Sequence, residues 1–254
     1  MLFLSSPLEQ FSILPLNNIS LLGFDFSITN SVVISAFGLL CFLFVLCSLS
    51  SANESFCVVP NRIQYIIELI YSTVYSLIND NVGPAGKSFF PYVFTLFTFI
   101  LIANIIGLVP YSFTITSHLI VTFALALMTF IGINLVCFRE HGINFLSLFL
   151  PPGSSTLLAL MLVPIELVSY IFRPISLSVR LFANMMAGHT LLKVIAGFSW
   201  AMVVAGSSLA LFAHTIPLSI LIVLMLLELG VAMIQAYVFT ILTCIYINDA
   251  IHLH

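Results

Sequence analysis

The sequence predicts an all-α integral membrane protein with about five membrane-embedded helices plus one amphipathic surface helix, the last two helices being long, tilted and folded into an antiparallel hairpin. Three observations predict this. Of 254 residues, 61% are hydrophobic and only 6% charged, where a soluble domain carries roughly 25% charged residues. Long stretches, 31–50 and everything between Lys87 and Arg139, hold no Asp, Glu, Lys or Arg. At about 20 apolar residues per crossing, the length allows only a handful of spans. So few charges cannot cover a globule of this size, which excludes a water-soluble enzyme, a disordered chain and a nucleic-acid binder. The net charge of -3 offers no basic patch for phosphate.

The chain reads as one membrane domain, 1–254. Residues 1–30 are mixed, carry Pro7, Glu9 and Pro15, and form an N-terminal surface segment. Residues 31–50 make the first span. No basic n-region precedes that run and no Lys or Arg occurs before Arg62, so neither a signal peptide nor an Arg-rich transit peptide is expected. Residues 60–82 differ: Ile63, Ile66, Ile67, Ile70, Val74, Leu77 and Ile78 follow helical spacing, with Gln64, Glu68, Ser72 and Ser76 on the other face. That pattern is an amphipathic helix lying on the membrane or on a partner. Residues 88–138 suit two spans joined by a turn at Pro110-Tyr111-Ser112. The region 154–249 holds two apolar segments, 154–205 and 208–249, parted by Gly206-Ser207-Ser208. Each is about 40 residues, or roughly 60 Å of helix, against a hydrocarbon core of about 30 Å. Such helices must tilt, bend or break, and Pro164, Pro174 and Pro217 offer places to bend. The five cysteines show no metal-ligand spacing and read as packing residues.

Five crossings put Arg62, Lys87 and Arg139 on one side, and the positive-inside rule places the C-terminus there too, with the N-terminus opposite.

The chemistry lies in 164–193, PIELVSYIFRPISLSVRLFANMMAGHTLLK. An Arg at mid-membrane costs about 2.5–3.5 kcal/mol even on a mild scale. Glu166, Ser169, Arg173, Ser176, Arg180 and Asn184 step by three or four and form one polar stripe that must face protein or water. Arg173 and Lys193 read as side chains snorkelling to an interface. His189 points elsewhere, about half a turn round from Arg180. The last segment adds Glu228, Gln235 and Asp249. In an antiparallel hairpin, partners at one depth have residue numbers with a constant sum. Arg180 with Gln235 and Glu166 with Asp249 share one sum, and His189 with Glu228 exceeds it by only two. One register therefore stacks a carboxylate pair, a central Arg–Gln level and a His–Glu level, the arrangement of a split proton path with a fixed cation between two relays. His and Glu exchange protons near neutrality once their environments tune them.

The run SLSVRLFANMMAGHTLL resembles the signature of subunit a of the F-type ATP synthases. LELGVAMIQAYVFTILTCIYINDAIHLH resembles the C-terminal helix of its mitochondrial members, plant and algal types in particular, and NIIGLVPYSFTITSHL and SPLEQF are similar to the same family. The resemblance covers nearly the whole chain. It implies a non-catalytic, proton-conducting stator subunit beside a rotating c-ring, supplying two offset half-channels. The family's essential Arg falls on Arg180, and its Asn and Gln partners fall on Asn184 and Gln235. Bacterial relatives carry a Glu at the position of His189 and a His at that of Glu228; this chain has the swapped, mitochondrial pair. Glu166 and Asp249 would line the second half-channel. Implied partners are the c-ring, peripheral-stalk and other membrane-sector subunits, protons and the lipid bilayer, in a complex that can be dimeric; no metal, cofactor or nucleic acid is implied. The implied location is the mitochondrial inner membrane, N-terminus to the intermembrane space and C-terminus to the matrix. The alternative from another class, a secondary ion transporter or channel subunit, would want an internal repeat, and none is visible.

Overall fold

The structure is a computed structural model that describes residues 7–17, 20–21, 24–25, 27–51, 62–109, 113–142, 156–204 and 214–251. Among these residues the fold is almost wholly helical. The α-helices are α1 (Asn30–Ser51), α2 (Arg62–Asn81), α3 (Phe90–Gly107), α4 (Leu119–His141), α5 (Thr156–Val204) and α6 (Thr215–Ile251). A 3-10 stretch, Gly83–Phe89, leads into α3. Four segments among the described residues are long and apolar enough to cross a membrane: Gly83–Gly107, Leu119–His141, Met161–Val204 and Thr215–Ile251. A shorter apolar stretch, Asn30–Phe44, belongs to α1. The expected turns at Pro110-Tyr111-Ser112 and Gly206-Ser207-Ser208 lie outside the described residues.

Two compact units divide the chain. Unit 1 comprises Met1–Leu43, Phe99–His118 and Leu181–Gln235; unit 2 comprises Phe44–Thr98, Leu119–Arg180 and Ala236–His254.

In unit 1 the N-terminal segment carries short strands. It pairs β1 (Pro15–Asn17) with β4 (Ile28–Thr29), and β2 (Ser20–Leu21) with β3 (Phe24–Asp25), all antiparallel. Strands of two or three residues are too short to leave an alternating pattern in sequence. The Asn30 side chain fastens this segment to α1: its Oδ1 accepts from the backbone N–H groups of Leu14 and Ser31, and its Nδ2 donates to the Ser12 carbonyl. Further along α1, Gly38 lets Ile106 and Ile115 approach to within 3.8 and 4.0 Å of where a Cβ would stand. Phe42 meets Phe99 edge-on at 6.5 Å.

In unit 2, α2 buries Val74, Leu77 and Ile78 and exposes Glu68, Ser72 and Ser76, so its apolar face is the packed one. Gly83, with φ 74°, ends that element in a conformation closed to most side chains. A Tyr71–Phe90–Phe94 aromatic cluster packs α2 on the start of α3. Along α4 the buried stripe is Thr122, Ala126, Thr129, Ile133 and Cys137, small side chains that admit close helix approach. Its large apolar residues Ile120, Met128 and Leu135 face outward, the inverse of a water-soluble helix and the pattern lipid demands.

The 49-residue α5 runs through both Pro164 and Pro174, each of which removes one backbone hydrogen bond of the ladder. Pro217 does not serve as a bend. It stands in the first turn of α6, where an N–H would be unpaired anyway.

Candidate functional site

Unit 1 holds three side-chain pairs between α5 and the segment that becomes α6. Asn184 Nδ2 donates to Gln235 Oε1 at 2.8 Å. His189 Nε2 lies 3.7 Å from Glu228 Oε1, both side chains nearly out of solvent, at 13% and 6% exposure. Ser199 Oγ and His214 Nδ1 are 2.7 Å apart. Ascending numbers on one helix meet descending numbers on the other, so the two run antiparallel here. The approach of His189 to Glu228 depends on Gly188, because a Cβ there would stand 2.5 Å from Glu228 Oε1.

From α3 comes a residue that the sequence analysis passed over. Asn104 is fully buried, and its Nδ2 donates to the Ala232 carbonyl at 3.3 Å, one turn beyond Glu228. Several polar atoms around this pair lack hydrogen-bond partners among the described residues: His189 Nε2, both Glu228 carboxylate oxygens and Asn104 Oδ1. Buried polar groups are normally paired. At 3.7 Å, His189 and Glu228 are just beyond direct bonding, a gap that a small shift or one bridging water closes.

The second cluster belongs to unit 2. Arg173 Nη1 reaches Asp249 Oδ2 at 3.4 Å. Its guanidinium sits over the Tyr170 ring at 5.1 Å and over the Tyr246 ring at 5.0 Å. Tyr170 in turn donates its hydroxyl to Asn134 Oδ1. A small cavity of about 20 Å³ borders Tyr170, Arg173, Tyr246 and Asp249, room for about one water.

His189 and Glu228 meet. Gln235 is bonded by Asn184, one turn beyond Arg180. Asp249 pairs with Arg173 rather than with Glu166, which is half-buried and makes no ion pair among the described residues. Arg173 was read as snorkelling; instead two tyrosine rings and a carboxylate hold it. The signal was present: Tyr170 stands three residues before Arg173 and Tyr246 three before Asp249, on the same helix faces.

Arg180 is exposed and makes no ion pair among the described residues. Ser169, Ser176 and Asn184 on its stripe are exposed as well, while Leu177, Leu181 and Met185 on the other face are buried.

Spans of this length, apolar outward faces and ionisable side chains within them define an all-α, multi-pass integral membrane protein built to handle charge inside the bilayer. Residues 13–248 match the family described as ATP synthase A chain. A protein of Pylaiella littoralis described as ATP synthase subunit a is 57% identical over 251 residues, covering 98% of this chain and 99% of that one. One of Chondrus crispus, described in the same words, is 48% identical over 251 residues, covering 99% and 98%. The chain belongs to the ATP synthase A chain family, that of subunit a.

Proposed function

We propose that this chain is the stator subunit of a proton-translocating ATP synthase membrane sector, offering two offset half-channels to the carboxylates of a c-ring and separating them with Arg180. Membership in the family supports the stator role. The observation that carries the finer reading is Arg180, a cation exposed on a helix long enough to span and with no ion pair among the described residues. In lipid such a side chain is costly. A partner that covers it must supply an anion, and a rotor carboxylate fits. Protonated, that carboxyl tolerates lipid; ionised, it does not do so cheaply. Arg180 favours the ionised form as the carboxyl passes, and a guanidinium that never deprotonates bars a direct leak.

His189 and Glu228, continued by Asn184 and Gln235, serve as the relay of one half-channel. Asp249, with Glu166, serves the other. A proton moving down the potential yields about 2.3 kcal/mol per 100 mV, and offset paths turn that transfer into rotation of one sense. Arg62, Lys87 and Arg139 favour a matrix-side C-terminus and an intermembrane-side N-terminus in the mitochondrial inner membrane. Peripheral-stalk and other membrane-sector subunits complete the assembly.

The test is Arg180→Ala in the assembled complex reconstituted in vesicles. Proton-driven ATP synthesis is abolished while the complex assembles normally. Synthesis at the unmodified rate defeats the proposal.

A further inference from the structure

The geometry points to Thr114 and Thr116 as a proton inlet that feeds His189 and Glu228 from the connection between α3 and α4, an assignment that rests on the proton-path reading above. Three independent observations meet there.

First, the two hydroxyls are buried, at 2% and 5% exposure, and neither has a hydrogen-bond partner among the described residues. Other buried threonines behave differently. Thr98, Thr129 and Thr243 donate to carbonyls of their own helices at 2.7–2.8 Å, the usual local solution for a hydroxyl in an apolar setting. The segment of Thr114 leaves its hydroxyls over even though its backbone is satisfied: Ser117 donates through both Oγ and N to the Thr114 carbonyl, at 2.6 and 3.3 Å. Thr114 is extended, with ψ 116°, and precedes the 3-10 turn Ile115–Ser117 without a side-chain capping bond to it.

Second, the unpaired polar atoms of Asn104, Thr114, Thr116, His189 and Glu228 all belong to unit 1. Buried polar atoms left over in this way are those that ordered water satisfies, and on this assignment water links them in turn.

Third, Thr114 comes close to the relay. A Cβ at Gly107 would stand 2.7 Å from Thr114 Cγ2 and 3.8 Å from His189 Nε2. The bare backbone of Gly107 is all that lies at that point, so Thr114 and His189 are near neighbours across it. At the other end of the segment, His118 stacks on Phe113 at 4.7 Å and holds the 113–118 stretch in place.

The step is simple proton transfer. A hydroxyl accepts a proton from water on its outer side and releases its own to water on its inner side, so no charge remains on it. The last water delivers the proton to a His189 ring nitrogen, from which Glu228 takes it.

The experiment uses the assembled complex in vesicles, with the soluble head removed and passive proton flux measured. Thr114→Val with Thr116→Val keeps the shape and removes both hydroxyls; flux falls at least about tenfold, in the range that positioned proton-transfer groups supply. Thr114→Ser with Thr116→Ser restores it. The hydrogen/deuterium flux ratio rises in the valine variant, which a packing role would not cause. Should the valine variant not assemble, Thr116→Cys decides: a small cationic thiol reagent added from the side of the 113–118 segment blocks flux. Unchanged flux in the valine variant, or a Thr116→Cys whose modification leaves flux intact, overturns the inlet. His189→Ala separates the two levels. If it stops flux while the valine variant does not, only the inlet fails; if it too leaves flux intact, the proton-path reading fails.

Discussion

The two ionisable pairs among the described residues are held in opposite ways. In unit 1, His189 and Glu228 are nearly enclosed yet stop at 3.7 Å, with His189 Nε2 and both Glu228 oxygens left without partners among the described residues. In unit 2, Arg173 is more open to solvent but clamped on three sides, by Asp249 and the rings of Tyr170 and Tyr246. Arg173 is held by one ion contact and two rings, so moving it gives up several contacts at once. An under-bonded pair can accept and release protons without first breaking a strong bond. On the proposed reading the looser pair suits a relay, and the Arg173 side chain, held by Asp249 and two rings, is a fixed post beside the other path.

The largest expected effect tests the relay. His189→Ala or Glu228→Ala slows proton flux through the reconstituted complex by roughly 100-fold, the range of a lost proton-transfer group. The double variant costs less than the two losses multiplied, because the residues act as one unit. His189→Glu with Glu228→His keeps an acid and a base at the same level and retains more flux than either single change. Simple multiplication of the single effects would mean that the pair works as two separate groups.

A smaller effect tests the post. Arg173→Lys keeps the charge but loses the planar face that lies over two rings. The complex then loses about 1 kcal/mol of stability, the size of a cation–π contact, read as faster thermal inactivation. Pairing it with Asp249→Asn adds little further loss. If Arg173→Lys inactivates no faster, the tyrosine clamp is incidental.

The smallest effect concerns the 113–118 segment. Burial pushes the His118 imidazole below its ordinary pKa of 6.5, so the folded segment holds it neutral. The folded state thus binds fewer protons than the unfolded one. The contribution is whole above the ordinary value and shrinks as pH falls through and below it. Amide exchange of 113–118, corrected for intrinsic chemistry, speeds up as pH drops from about 7.5 to about 5.5, a range that brackets an ordinary imidazole. His118→Gln removes that dependence; a variant that keeps it assigns the loosening to another group.

Much of this was legible before any coordinates. A chargeless run announces α3 and most of α4, and long, predominantly apolar segments with few charges announce α5 and α6, because lipid admits little else. Antiparallel numbering placed His189 opposite Glu228. Asp249 takes Arg173 as its ion-pair partner, seven residues and nearly two turns from Glu166, because numbering fixes depth and leaves the choice among neighbouring turns to side-chain chemistry. Reading Arg173 as snorkelling ignored the tyrosines beside it on the face. Asn104 hid in IANIIG, where a lone amide in an apolar run was itself the signal. The paired strands of the first thirty residues were out of reach, being fixed by the Asn30 side chain rather than by any periodic pattern.

The short link between Ser199 and His214 bears on how the chain enters a membrane at all. The two residues are only 15 apart in sequence, so bringing them together costs little closure entropy. The ends of α5 and α6 can therefore meet as soon as both have left the ribosome. Once zipped, the two helices present His189, Asn184, Glu228 and Gln235 to each other instead of to lipid. The hairpin can then pass into the bilayer as a single cargo with those four groups turned to each other, while Arg180 stays exposed on α5 until a partner covers it.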